Sequence, residues 1–351
     1  MKPSVFCKRV HMRRTSIKDI ARIAEVSHST VSRALSGSPL ISPETTERIR
    51  RIAEESGYRR SAAARSLVTS RTATIGVVVT TIADPFAAEV VNGIEDAAND
   101  HDYSVILASS NVDPEREMRV VRALEERRVD GIIVTSSRVG ASYAGSFSQK
   151  WVPIVLLNNQ HHSNEFIHSV MIDNHSASAM ATQHLIGLGH RRIAYIGDRN
   201  GYDSDTERFD GFRAALDQAG IEFRPDYVAH GNGKPDGGAA AMNALLAASR
   251  PPTAVFCYND MTALGALRSI RTRGLSVPAD ISVAGFDDLF VAEYSVPPLT
   301  TVRQPMREMG WLAVETLIRL LAGVEAEHNV NIKVPGELVV RESTAPPKES
   351  L

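Results

Sequence analysis

The sequence predicts a small all-α head followed by a larger α/β body, and three observations predict it. Up to about Gly57 there are three short apolar stripes at helical spacing, each preceded by a serine placed to cap a helix. From Ile75 onward, short β-branched runs alternate with helix-length amphipathic segments, the pattern of parallel sheets covered on both faces. Charge divides at the same place. Met1 to Thr72 holds 15 Lys and Arg against 6 Asp and Glu, a net of +9, and the remainder holds 24 against 35, a net of −11. The head is built to meet a polyanion and the body to be repelled by one, although charge alone leaves nucleic-acid binding and a solvated basic surface both open.

The first helix starts at Ser16, which can cap a segment whose third position is Asp19, with Ile17, Ile20, Ala21 and Ala24 on one face. After a tight turn at Glu25 and Val26, Ser27 supplies a second cap, and Val31, Ala34 and Leu35 give the next helix its inward face. Two helices joined so closely must cross steeply. Ser42-Pro43-Glu44 is a third start, with Pro at the first helical position, and the helix should stop at Gly57 after placing Ile49, Ile52 and Ala53 over the crossing pair. Such an arrangement is a helix-turn-helix module, whose second helix enters the major groove N-terminus first. On that reading His28 and Ser29 point at base edges, Ser16, Ser27, Thr30 and Ser32 offer hydroxyls to the DNA, and Arg33 reaches a guanine or a phosphate.

The order I-x-D-I-A-x-x-A-x-V-S-x-x-T-V-S-R-x-L, carried here by Ile17, Asp19, Ile20, Ala21, Ala24, Val26, Ser27, Thr30, Val31, Ser32, Arg33 and Leu35, resembles the headpiece of the lactose-repressor (LacI/GalR) family over residues 16–67. Glu25 departs from the family, which often has Gly in that turn. After Tyr58 the family has Pro-Asn and a short hinge helix ending in A-R-S-L; this chain has Arg60 and Ser61 in place of the pair. The resemblance implies that Leu67 is an apolar wedge for the minor groove, that Ala64 lines that groove, that Ser61 caps the hinge helix and that Arg60 contacts phosphate, an ordinary linker helix being the alternative.

In the body, strands are expected at Ile75–Val79, Ser104–Ala108, Gly131–Val134, Ile154–Leu157, Ile193–Ile196, Ala254–Cys257 and Ile281–Ala284. Ligands of such sheets sit at the carboxyl ends of the strands. There stand Asp84-Pro85-Phe86, Thr135-Ser136-Ser137, Asn158-Asn159, Tyr258-Asn259-Asp260 and Phe286-Asp287-Asp288, with Arg208 near the start of a helix. Helix capping accounts for part of this set. Amides, carboxylates, hydroxyls and a guanidinium beside aromatic rings are also the chemistry of polyol binding, because each sugar hydroxyl donates and accepts while the ring's C–H face stacks on an aromatic.

The resemblance extends through H-L-I-x-L-G-H-R-R-I-A at His184–Ala194, E-R-x-x-G-F-x-x-A-L at Glu207–Leu216, A-V-F-C-Y-N-D at Ala254–Asp260 and S-V-A-G-F-D-D at Ser282–Asp288. It implies a two-lobed, periplasmic-binding-protein-like (type I) α/β effector domain. Its effector contacts would be Asp84, Phe86, Thr135, Asn158, Arg208, Asn259 and Asp287, with the chain crossing between lobes near Asn158–Ile172 and Gly285–Val302. Many relatives have an aromatic where Gly233 stands here. The expected division is a helix-turn-helix headpiece over 14–60, a hinge helix and linker over 61–72, and an effector-binding and dimerisation domain over 73–345.

The 351 residues, 43% apolar and 23% charged, suffice for two or three folding units. Cys7 and Cys257 suggest no disulfide framework, and the basic start, with Lys2, Lys8, Arg9, Arg13 and Arg14, is not followed by an apolar stretch long enough for a signal peptide or membrane span, so a cytoplasmic location is expected. No phosphate-binding loop, nucleophile elbow or catalytic constellation stands out, and neither a cofactor nor a metal is expected; His161, His162, His168 and His175 match no ligand spacing, and Asp203 and Asp205 read as caps of the helix carrying Arg208 rather than as a calcium site. The sequence is identified as a homodimeric regulator of palindromic operator DNA, most readily a repressor, controlled by a small-molecule effector, expected to be a sugar. The alternatives are a solute-binding module with no DNA-regulatory role and a sugar-processing enzyme, the latter without an acid–base pair.

Overall fold

The computed structural model describes residues 15–58, 71–139, 143, 152–159, 168–323 and 330–348. The expectations for Arg60, Ser61, Ala64 and Leu67, and those for Cys7, His161 and His162, lie outside them. The chain divides into two compact units, Met1–Thr72 and Ala73–Leu351.

In the first unit, α1 (Ile17–Ile23), α2 (His28–Leu35) and α3 (Pro43–Glu55) each begin at the expected serine. Ser16 and Asp19 form a reciprocal capping box: the Asp19 N–H donates to Ser16 Oγ at 3.3 Å and the Ser16 N–H to Asp19 Oδ2 at 2.9 Å. Ser27 Oγ accepts the Thr30 N–H at 3.1 Å, and Ser42 Oγ accepts that of Thr45 at 3.3 Å. Each helix also ends alike, with the chain turned left-handed and the next two N–H groups folded back on the last turn. Gly37 (φ 71°) and Gly57 (φ 60°) make that turn without a Cβ, but after α1 it falls on Glu25 (φ 52°). There the Glu25 N–H bonds to Arg22 O and the Val26 N–H to Ala21 O. Ile20, Val31, Ala34 and Ile49 are fully buried at the crossing of the three helices, with Ile17, Leu35 and Ile52 half-buried around them.

The second unit holds, among the described residues, two six-stranded sheets, each with helices packed against it. The first, lobe 1, is ordered β11-β5-β4-β3-β1-β2, from β1 (Thr74–Val79), β2 (Ser104–Ser109), β3 (Gly131–Thr135), β4 (Ile154–Leu157), β5 (His168–Ile172) and β11 (Asn331–Val334). Its helices are α4 (Pro85–Asp100), α5 (Pro114–Glu126) and α11 (Met306–Leu321). The second, lobe 2, is ordered β12-β10-β9-β8-β6-β7, from β6 (Ile193–Asp198), β7 (Val228–Gly231), β8 (Ala254–Cys257), β9 (Ser282–Asp287), β10 (Thr300–Arg303) and β12 (Glu337–Val339). Around it lie α6 (Asn174–Gly187), α7 (Asp203–Gln218), α8 (Pro235–Leu246), α9 (Asp260–Thr272) and the single turn α10 (Phe290–Glu293). Pairing is parallel throughout except for β10 with β12. The expected strands are all present; β5, β7, β10, β11 and β12 were not expected.

Three segments join the lobes rather than the two expected. The first follows Ile172, at Asp173, because β4 and β5 both still belong to lobe 1. The second is Gln304-Pro305, just past the expected range, because β10 completes the lobe 2 sheet before the chain returns. The third, Pro335-Gly336 between β11 and β12, was not anticipated.

Paired helices meet at glycines. A Cβ at Gly93 of α4 would come within 3.0 Å of the Arg307 carbonyl of α11, and one at Gly310 would do the same to Val90 O. Gly211 of α7 meets His175 O of α6 likewise, and Gly238 of α8 meets Thr262 O of α9. Backbones that close leave no room for a side chain, so these helix pairs are fixed in register.

The turn at Glu25 makes a prediction. Replacing a side chain held at positive φ with glycine relieves strain of about 1 kcal/mol. Glu25→Gly should raise the denaturation midpoint of the first unit, followed by its helical signal in the intact chain; an unchanged or lowered midpoint would show the turn to be unstrained.

Candidate functional site

Two sets of polar residues are brought together, one in each unit. In the first unit, Ser27, His28 and Ser29 are exposed at the N-terminus of α2, and Ser27 Oγ lies 2.7 Å from Ser29 Oγ and 2.8 Å from Thr30 Oγ1. This cluster of hydroxyls and N–H groups sits at the positive end of a helix dipole, the arrangement that receives phosphate oxygens. Arg33 is exposed one turn further along, Ser32 is half-buried, and Ser16 is exposed but engaged in capping α1.

In the second unit the selected residues fall at the carboxyl ends of three adjacent strands in each lobe. In lobe 1, Asp84 and Phe86 follow β1, Thr135 ends β3 and Asn158 follows β4. Asp84 caps α4 by accepting the Phe86 N–H at 3.0 Å, and burial, partly opposed by that bond, pushes its pKa up. Asn158, at φ 49°, is nearly buried, and its N–H donates to Val170 O at 2.9 Å. In lobe 2, Arg208 stands on α7 after β6, Asn259 follows β8 and Asp287 ends β9. Asn259 caps α9 through the Thr262 N–H at 2.9 Å and donates from Nδ2 to Gly233 O at 3.1 Å.

Arg208 is the centre of lobe 2's contribution and is only 4% exposed. Its Nε donates to Asn174 Oδ1 at 2.9 Å and its Nη1 to the Tyr258 carbonyl at 2.6 Å. The guanidinium carbon lies 3.6 Å from the centre of the Phe286 ring and 4.7 Å from that of Tyr258. Asp287 Oδ1, 3.9 Å from Nη1, completes the surroundings and accepts Gln304 Nε2 at 2.6 Å. Burial raises the Asp287 pKa to about 7, against the pull of Arg208 and the Gln304 bond, and Asp84 of the other lobe pushes it the same way as burial. Beside it Asp260 is wholly buried, accepting Thr301 Oγ1 at 2.6 Å and the Leu289 N–H at 2.8 Å, and burial followed by the Asp287 charge raises its pKa strongly.

Sequence reasoning missed several members of this cluster. Asn174, the first residue of α6, and Gln304, in the second joining segment, reach Arg208 and Asp287 across 34 and 17 residues of sequence. The capping role expected of Asp203 and Asp205 is corrected: α7 starts after Tyr202 with no side-chain cap bond, and Asp205 instead accepts the Tyr195 hydroxyl at 2.7 Å inside the core. Gly233 needs its φ of 70°, and a Cβ there would stand 3.1 Å from Asp198 Oδ2, so no aromatic occupies that place. Among the described residues no group of His, Cys, Asp and Glu could hold a metal ion, and no helix is long and apolar enough to cross a membrane.

Comparison with known proteins adds to this geometry. Residues 16–61 match bacterial regulatory proteins of the lacI family, and residues 182–344 match the periplasmic binding protein-like domain. The chain is 34% identical to catabolite control protein A of Priestia megaterium over 94% of this chain and 99% of that protein. It is 35% identical to the ribose operon repressor of Haemophilus influenzae over 93% of this chain and 98% of that one. Among solved structures, it superposes with a TM-score of 0.86 on the lac repressor dimer bound to operator and the anti-inducer ONPF, at 28% identity, covering 95% of this chain and all of that one.

The Asp287 environment predicts a pH dependence. A carboxyl whose pKa rises from 3.8 to about 7 on folding binds more protons folded than unfolded, so its stabilisation is complete below pH 3.8 and lost as pH rises through 7. Asp287→Asn cannot ionise. Its denaturation midpoint should fall less than that of the unsubstituted chain between pH 5 and pH 8; parallel curves would show that Asp287 does not titrate there.

Proposed function

The chain belongs to the lacI family of bacterial regulatory proteins, and from that premise we propose that it represses transcription at a palindromic operator under the control of a sugar bound between its lobes. It is a DNA-binding transcriptional regulator, not an enzyme, with a helix-turn-helix head and a periplasmic-binding-like effector domain. The domain limits we adopt are 14–60 for the headpiece, 61–72 for hinge and linker and 73–345 for the effector-binding and dimerisation domain. A cytoplasmic location accords with a partner that is operator DNA.

In the headpiece, His28 and Ser29 read bases, Ser27, Thr30 and Ser32 hold phosphates, Arg33 takes a guanine or phosphate, and Ser16 is a further DNA contact. The exposed α2 N-terminus supports this assignment. Arg60, Ser61, Ala64 and Leu67 are assigned to the minor-groove hinge on the family resemblance alone. In the effector domain Asp84, Phe86, Thr135, Asn158, Arg208, Asn259 and Asp287 contact the ligand. The observation that carries the sugar reading is the Arg208 cluster: a buried guanidinium flanked by a carboxylate, amides and two aromatic rings, with Asp84 of the other lobe near enough for its charge to act on Asp287. The name of the ribose operon repressor agrees with it.

Control follows from differential binding. A solute that contacts both lobes favours one opening of the cleft, and a homodimer whose hinge segments respond to that opening binds its operator with altered affinity. Exposed apolar side chains suited to the dimer contact are Ile106 and Leu107 on the edge strand β2 and Phe290, Tyr294 and Val296 after β9.

Mobility-shift measurements on the promoter of the chain's own operon should give a complex that weakens steeply with salt, and a sugar that raises the protein's melting temperature should change its affinity. Arg208→Lys, which keeps a cation among the buried acceptors but loses the planar fork, should blunt that response while leaving the basal complex; an unaltered response overturns the effector site, and the lack of any sequence-specific complex overturns the operator assignment. Leu67→Ala should lower operator affinity about tenfold, a loss of about 1.4 kcal/mol, and reduce DNA bending, because a methyl group no longer holds the base step apart. An unchanged bend excludes the wedge.

A further inference from the structure

We propose that Arg138 is a latch between the lobes, carried by lobe 1 and seated on lobe 2, which sets how far the cleft stands open when no effector is bound. Arg138 lies three residues beyond β3. Its Nη2 donates to the Asn200 carbonyl at 2.5 Å, and its guanidinium carbon lies 5.0 Å from the centre of the Tyr202 ring. Asn200 and Tyr202 belong to the connection between β6 and α7, so the side chain spans from the strand ends of one sheet to those of the other.

Both seats of the latch are fixed in advance by buried carboxylates. In lobe 1, Glu117 of α5 is 3% exposed and accepts the Ser137 hydroxyl at 2.5 Å, the Tyr143 hydroxyl at 2.7 Å and the Arg138 backbone N–H at 3.4 Å. In lobe 2, Asp198, 4% exposed at the end of β6, accepts the Asn200 N–H at 2.9 Å and Asn200 Nδ2 at 2.6 Å, which presents the Asn200 carbonyl toward Arg138. With both ends ordered, the contact carries little entropic penalty beyond that of the arginine side chain itself. Arginine suits the task, since its planar cation can donate to a carbonyl and lie over a ring at once, which lysine does less well.

The latch is separate from the Arg208 cluster, whose partners all lie in lobe 2 or in the joining segments. It adds a free-energy term to the arrangement of the lobes described here, one that any effector must work with or against. The inference deepens the proposed function but its test needs neither effector nor DNA, so the two can fail independently.

The experiment is a distance measurement between spin labels at Glu115→Cys in lobe 1 and Asp236→Cys in lobe 2. It is made on the full chain in a Cys7→Ser background, diluted with unlabelled chain so that each pair reports one protomer. Arg138→Ala should shift the distance distribution and broaden it, Tyr202→Ala should do the same, and Arg138→Lys should fall between. Arg138→Gln serves should the alanine variant unfold, with circular dichroism as the check. Distributions unchanged in folded Arg138→Ala or Arg138→Gln protein overturn the latch.

Discussion

The buried guanidinium of Arg208 is the interaction on which the effector domain turns. A cation taken out of water is tolerated only where carbonyls, carboxylates and ring faces replace its hydration. Here those groups come from separate pieces of chain: Asn174 at the start of α6, Tyr258 after β8, Phe286 and Asp287 at the end of β9. None is near Arg208 in sequence. The cation is satisfied only when the strand ends of lobe 2 are in register and the first joining segment is in place, so lobe 2 and its attachment form as one cooperative unit. Through Gln304, Asp287 extends the same network into the second joining segment.

What the sequence made legible follows from how local each signal is. The caps at Ser16, Ser27 and Ser42 bond within three residues, and all three helices begin where their serines place them. The seven expected strands are mostly β-branched runs in sheet interiors, except that β2 is an edge strand with Ile106 and Leu107 exposed. The strands left unread are short and partly polar, such as Val228–Gly231 with His230 exposed, or finish a sheet from the far end of the chain, as Asn331–Val334 and Glu337–Val339 do. Their pairing is a long-range event with no local trace. The third joining segment was missed for that reason.

The candidate site was legible in part. Residues at strand ends could be named, because that is where parallel sheets expose polar groups, and the structure gathers Arg208 with Asp287 and Asn259 with Gly233. Which groups would share a buried charge could not be read. Asp205 looked like a cap and is a core acceptor for Tyr195, and Glu117, in a segment that reads as an ordinary amphipathic helix, proves to anchor the loop that carries Arg138. Glu25 is the instructive intermediate: its departure from glycine was visible, and its left-handed backbone shows that the turn geometry held while the residue best suited to it was lost.

The three joining segments have a mechanical meaning. Three connections spread across neighbouring strands constrain the lobes more than two would, and hinge closure about those few residues is the motion such a layout favours. Arg303 stiffens the arrangement, binding Asp288 at 2.8 Å and Glu337 at 3.0 Å and so cross-bracing β10 to the ends of β9 and β12. A solute that enters such a scaffold can alter little except one angle, which makes the message it sends a single scalar.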